Sequence, residues 1–307
     1  MLIELLKALA IGVVEGITEW LPISSTGHMI LFDEFVKLDV SAKFMELFLV
    51  VIQLGAIMAV ILLYRRKLNP LSKYKQPREN RATIALWVKV IVGCIPAAII
   101  GFLLDDWAEE HFFNAVVVAI ALIVYGVAFI LIERIKAKSD TFEYHARHSV
   151  ESQTRMATAF RNARDPEAGE LEELSFAKAI GIGFFQCLAI IPGTSRSGST
   201  ILGGRILGVS RQVAAEFSFF LAIPVMLGWS LLKVVKVFVL DHLAPTATEW
   251  GVLVVGIIVA FAISILAIKF LIGYIKNHSF AVFGWYRIVL GLVVLAFFAF
   301  TGQLFAT

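Results

Sequence analysis

Residues 45–63, 115–132 and 251–268 run almost without interruption in apolar side chains. A helix rises about 1.5 Å per residue, so runs of roughly 20 apolar residues match a hydrocarbon core about 30 Å thick. A soluble core could not absorb them. Hydrophobic residues make up 59% of the 307 and charged residues only 17%, against about 45–50% and about 25% in soluble domains. The chain reads as an all-α polytopic membrane protein, one integral membrane domain over residues 1–307. Its formal charge of +3 does not point to nucleic acid, because the basic residues follow topology. Cys94 and Cys187 lie in apolar stretches and read as two thiols rather than a disulfide framework. The first ten residues lack a basic region and a small-residue cleavage site, so they are expected to be retained rather than removed as a signal peptide.

Six segments read as spans: 45–64, 83–104, 114–134, 213–236, 250–275 and 282–302. The connection 65–82 carries seven Lys and Arg residues, whereas 105–113 has four acids and no Lys or Arg. Basic excess marks the cytoplasmic side, which puts 65–82 inside and 105–113 outside. Arg134, Lys136 and Lys138 return the chain to the cytoplasm, and 237–249, again without Lys or Arg, lies outside. By parity, the apolar segment 176–208 enters and leaves on the same side. With Gly, Pro, Ser and Thr at its middle it is too short for two crossings, so a hairpin dipping to mid-membrane is expected.

An internal repeat supports that reading. At an offset of 171, Gly12, Glu15, Ser24, Gly27 and Leu31 meet Gly183, Gln186, Ser195, Gly198 and Leu202, and Glu46 meets Glu216 at an offset of 170. Each half is then a re-entrant helical hairpin plus three transmembrane helices: repeat one over 1–134, repeat two over 176–302. Three crossings per half is odd, which makes this an inverted-topology repeat with both loops near the midplane and both termini outside. The connection 135–175, with eight acidic residues between 136 and 175, reads as a solvated cytoplasmic linker.

Three polar clusters interrupt the apolar runs, where ionisable groups are costly and mark function by default. Glu15 and Glu19, four residues apart, share one helical face. Two such carboxylates repel unless a cation, a shared proton or a basic partner intervenes, and one or two carboxylates plus phosphate oxygens commonly hold Mg²⁺. A pair facing the aqueous helix end is the structural alternative. The second cluster, Ser24-Ser25-Thr26-Gly27-His28, follows Pro22 and opens a helix. It is either a plain cap or an anion site of free N–H groups and hydroxyls beside an imidazole. In the third, Arg196 stands among Thr194, Ser195, Ser197, Ser199 and Thr200. A guanidinium there suits phosphate oxygens; a structural ion pair with Glu19 is the alternative, and both can hold. Walker-type, HExxH and CxxC patterns are absent from the sequence, which argues against nucleotide hydrolysis and zinc chemistry.

The segments EGITEWLPISSTGH (15–28) and PGTSRSGST (192–200) closely resemble the two signature motifs of the bacterial undecaprenyl-diphosphate phosphatase family, the bacitracin-resistance proteins. The resemblance runs over essentially the whole chain, the polar connection being longer than is usual in the family. It implies hydrolysis of undecaprenyl diphosphate to the monophosphate, recycling the lipid carrier for cell-wall synthesis, at the outer side of the bacterial cytoplasmic (inner) membrane. It also implies a divalent cation, Mg²⁺ or Ca²⁺, with Glu15 and Glu19 as its ligands. Glu15, Glu19, Ser25, His28 and Arg196 map to catalytic positions. Ser24, Thr26, Ser195, Arg196, Ser197 and Thr200 map to phosphate contacts. The attacking group is Ser25, His28 or an activated water. The other lipid-phosphate phosphatases carry a second His after a comparable Ser-Arg segment, and none follows Arg196 before residue 242. Membrane lipids are implied partners, and a homodimer is left open. The competing class is a flippase for a polyprenyl phosphate, since inverted repeats with broken helices also build transporters.

Overall fold

The structure is a computed structural model that describes residues 1–150 and 171–302, without the side chains of residues 105, 106, 109 and 138–150. The regular structure of the described residues is all helical, with no strand among them. The helices are α1 (Leu2–Thr18), α2 (Ser25–Phe35), α3 (Ala42–Leu63), α4 (Pro77–Phe112), α5 (Ala115–Val150), α6 (Phe176–Cys187), α7 (Arg196–Ile206), α8 (Arg211–Val235), α9 (Ala247–Ile275) and α10 (Ala281–Phe300). Six of them, α3, α4, α5, α8, α9 and α10, are long and apolar enough to cross a membrane, and they coincide with the six segments read from the sequence. The chain is a multi-pass membrane protein. α4 starts six residues ahead of the expected span. It begins at Pro77, in a charged stretch that carries no hydropathy signal, because proline is favoured in the first helical turn. Of the expected polar connection, residues 135–150 continue α5 as helix, and 151–170 lie outside the described residues.

Four helices are shorter. α2 and α7 have 11 residues each and α6 has 12, which makes them about 16–18 Å long. Each helix start must supply partners for N–H groups that water cannot reach in a bilayer. Ser24, Ser41, Ser175, Ser195 and Ser210 do so, each accepting from the backbone N–H three residues on.

The helices pair in a reciprocal pattern. α1 packs on α9 and α6 on α4; α3 packs on α9 and α8 on α4; α5 packs on α10 and α3 on α8. Small residues permit these approaches. A Cβ at Gly126 would come 2.6 Å from the Gly284 carbonyl oxygen, and one at Gly284 equally close to that of Gly126. The α5–α10 crossing is therefore backbone against backbone, and a methyl on either glycine would push the helices apart. Between these layers the α1–α2 and α6–α7 connections meet in the interior. Trp20, fully buried, stacks edge-on against Phe219 of α8 with ring centres 5.3 Å apart.

Candidate active site

Both connections are built the same way. A helix ends near a proline, and the chain turns at a serine with left-handed backbone, φ 74° at Ser24 and 69° at Ser195. That serine's hydroxyl then accepts the N–H of Gly27 (3.2 Å) or Gly198 (3.1 Å) to start the next helix. A non-glycine residue at such φ costs on the order of 1–3 kcal/mol and persists only where the surroundings hold it. Here the hold is Arg287 of α10, which is fully buried. Its Nη1 donates to the Pro22 carbonyl (3.2 Å), and its Nη2 donates to those of Gly193 (2.8 Å) and Thr194 (3.0 Å). One guanidinium thus ties the two loops together.

The tie brings the polar clusters into contact. Arg196 Nη2 donates to Glu19 Oε1 (2.9 Å), and its Nη1 donates to the Ser218 carbonyl (2.8 Å). Its guanidinium lies over the Trp20 ring, 5.6 Å from the centre. Ser25 Oγ donates to the other Glu19 oxygen, Oε2, at 3.2 Å. Glu19 therefore holds a hydroxyl from one loop and a guanidinium from the other on its two oxygens. One turn earlier, Glu15 is 3% exposed and its Oε1 has no hydrogen-bond partner.

Glu19, Ser25 and Arg196 border a cavity of about 910 Å³. Glu19, Ser25, Thr26, Ser195 and Arg196 line its polar end. Apart from two amides, Gln53 of α3 and Gln186 of α6, the rest is mostly apolar wall from α4, the α6–α7 connection and α8, among them Phe102, Ile190, Trp229 and Leu232. Phe102 and Trp229 also face outward, so the cavity reaches the lipid-facing surface between α4 and α8. The volume is in the range of ligand sites, about 300–1,000 Å³.

The remaining sequence-predicted residues stand behind this wall. Ser24 is fully buried in its cap. Ser197 Oγ donates to the Glu19 carbonyl (2.9 Å), stitching one loop to the other, and Thr200 Oγ1 shares a 2.6 Å hydrogen bond with Ser218 Oγ. His28 faces α10: its Nδ1 is 2.6 Å from the Ser24 carbonyl oxygen and its Nε2 is 2.7 Å from Tyr286 Oη. A carbonyl only accepts, so Nδ1 carries the proton and Nε2 accepts from the tyrosine.

The bacitracin resistance protein BacA family model matches residues 8–293. The chain belongs to the BacA family. The match spans both loops, five of the six long helices and the first part of α10. Among curated relatives, the protein named Undecaprenyl-diphosphatase from Enterococcus faecalis is 50% identical over 299 residues, 97% of this chain and 99% of that protein. Those of that name from Limosilactobacillus fermentum and Desulfitobacterium hafniense are 52% and 50% identical over 299 residues, each covering 97% of this chain and 99% and 97% of theirs. The two carboxylates Glu15 and Glu19 are the residues that could hold a divalent cation. Glu15 carries an unpartnered buried oxygen, and Mg²⁺ ordinarily takes one or two carboxylates and completes its shell with phosphate and water. No group of three or more His, Cys, Asp or Glu converges among the described residues, so any such ion would draw its remaining ligands from substrate and water.

Sequence reasoning missed Arg287, Tyr286 and Gln53, and named Gln186 only as the repeat counterpart of Glu15. An arginine inside the last span was itself a signal, since charge at that depth rarely lacks a role.

Proposed function

We propose that this chain hydrolyses undecaprenyl diphosphate to undecaprenyl phosphate and inorganic phosphate, recycling the lipid carrier in the bacterial cytoplasmic membrane, with its active site toward the outer side. The observation that carries the reading is the Ser25–Glu19–Arg196 contact at the polar end of a cavity that is otherwise mostly apolar and reaches the lipid. Curated relatives at 50% identity over nearly the full length bear the matching name.

The fold behind the site is an inverted-topology repeat, 1–134 against 176–302, each half a re-entrant hairpin followed by three crossings. Three observations support it: the reciprocal helix pairing, the equal left-handed turns at Ser24 and Ser195, and hairpin helices α2, α6 and α7 too short for a bilayer core of about 30 Å. The basic connection 65–82 sets the cytoplasmic side.

In the reaction, the lipid tail lies along the apolar wall and the terminal phosphate rests among Thr26, Ser195 and Arg196. Preorganised donors of this kind stabilise the charge that builds on phosphoryl oxygens. Ser25 Oγ attacks the terminal phosphorus while Glu19 Oε2 takes its proton. The bond from phosphorus to the bridging oxygen breaks, and undecaprenyl phosphate departs with the electron pair. Glu19 passes the proton it took to the departing oxygen. Water then attacks the phosphoserine and gives a proton to the freed Glu19 carboxylate. The bond from phosphorus to Ser25 Oγ breaks, and the proton returns to Oγ as inorganic phosphate leaves. A divalent cation on Glu15 and Glu19 supplies neutralisation of the diphosphate charge when bound.

The test is single-turnover hydrolysis of ³²P-labelled undecaprenyl diphosphate in detergent. Phosphate release with label trapped on Ser25 is the expected outcome. Release with no labelled protein would replace Ser25 by water as the attacking group. Binding with no release would replace the hydrolase by a lipid flippase.

A further inference from the structure

The mechanism leaves one buried polar side chain on the cavity wall without an occupation. Gln186 of α6 is 3% exposed and lines the cavity, and neither its amide oxygen nor its amide nitrogen has a hydrogen-bond partner. A buried amide with both ends unmade is costly unless a partner arrives from elsewhere. Residues after it in the chain, Cys187, Ala189 and Ile190, belong to the apolar wall. Gln186 is thus a polar residue followed at once in the chain by residues of the apolar wall. A second amide, Gln53 of α3, lines the same cavity.

Donors for one phosphate are already accounted for at the loops, around Ser25. A diphosphate brings a second phosphate, attached to the lipid, and it must lie between the reacting phosphorus and the tail. We propose that Gln186, with Gln53, forms the subsite for this lipid-linked phosphate, the amide nitrogen of Gln186 donating to its oxygens. This rests on the diphosphatase reading above and adds to it the group that recognises the leaving half of the substrate. The terminal torsion of glutamine is broad and turns easily, so the amide meets the phosphate without backbone movement. A neutral amide also suits a leaving group: it contributes a hydrogen bond to the diphosphate but no ionic grip that would retain the product lipid.

The subsite predicts a split between two ligands. Farnesyl methylenediphosphonate, which cannot be hydrolysed at its bridge, fills both phosphate positions, and inorganic phosphate fills the loop position alone. In detergent-purified protein, Gln186→Leu is expected to weaken the diphosphonate about 10- to 100-fold, the worth of a hydrogen bond to a charged group. Inorganic phosphate inhibition should change less than about twofold, and the thermal midpoint should hold or rise, because an unmet amide has been removed. Gln186→Glu should weaken the diphosphonate further by like-charge repulsion. An unchanged diphosphonate affinity, or an equal loss for both ligands, overturns the subsite. Gln186→Met, nearly isosteric, gives the same two-ligand comparison if the leucine variant does not fold. A wild-type protein that binds neither ligand would instead remove the diphosphatase reading itself.

Discussion

The two hairpin connections share a backbone and differ in almost every functional side chain. Both turn at a serine with positive φ, and both cap the next helix through that serine. At the offset of 171, however, Ser25 stands opposite Arg196, Glu19 opposite Ile190 and Glu15 opposite Gln186. The first connection keeps the acids and the hydroxyl that sits on one of them; the second keeps the cation. Two copies of the first loop would set four carboxylates around a polyanion, and two copies of the second would lack a base. A common frame with divided chemistry gives one site in which Glu19 is met by a hydroxyl from its own side and a guanidinium from the other.

The strongest way to break this division is at its ionic contact. Arg196→Ala removes the guanidinium from the phosphate position and leaves Glu19 with an unpaired buried oxygen. Phosphate release from undecaprenyl diphosphate is expected to fall about 10²- to 10³-fold in kcat, the usual effect of deleting a preorganised donor to developing charge. Arg196→Lys should recover only part, since one ammonium cannot reach both the Ser218 carbonyl and Glu19 with fixed planar geometry. Equal activity in wild type and alanine variant would place the chemistry elsewhere.

The comparison also explains what the sequence made legible. The six spans follow from unbroken apolar runs, a signal that needs no knowledge of neighbours. The loops were legible because polar residues at membrane depth are expensive, and the repeat was legible because Gly12, Ser24 and Gly27 recur as Gly183, Ser195 and Gly198. The direction each side chain takes was not. Ser197 and Thr200 lie within five residues of Ser195, yet they bond to Glu19 and Ser218 behind the cavity. His28 turns to Tyr286, 258 positions away. Such contacts arise from how α8 and α10 pack against the loops, which local spacing does not encode.

Arg287 has no counterpart on the helix it packs against: α5 has no Lys or Arg between Ala115 and Glu133. It serves both connections at once, so its loss should act on stability rather than on a single chemical step. Arg287→Leu leaves the Pro22, Gly193 and Thr194 carbonyls unpaired, each at a cost of about 1–3 kcal/mol. The expected total is on the order of 3 kcal/mol or more, read as a lowered thermal midpoint in detergent. A stable Arg287→Leu protein with native activity would mean that the loops hold their shape without the shared guanidinium.

The smallest effect separates the two functions of the turning serines, backbone shape and cap. At Ser24, φ is 74° and the hydroxyl accepts the Gly27 N–H. Alanine there loses the hydrogen bond and keeps the strain, since a Cβ at positive φ remains. Glycine loses the hydrogen bond but adopts that φ freely. Replacing a serine cap by alanine costs about 0.5–2 kcal/mol and by glycine only a few tenths, and the left-handed turn widens the gap in glycine's favour. Ser24→Gly should therefore melt within a few degrees of wild type, and Ser24→Ala clearly lower. Ser195→Gly and Ser195→Ala should repeat the order, because the second turn has the same geometry. Their kinetics should diverge: Ser195 lines the cavity and Ser24 does not, so removing the hydroxyl should raise KM at 195 and leave it nearly unchanged at 24. Parallel KM changes at the two positions would mean that the loops are chemically as well as structurally equivalent.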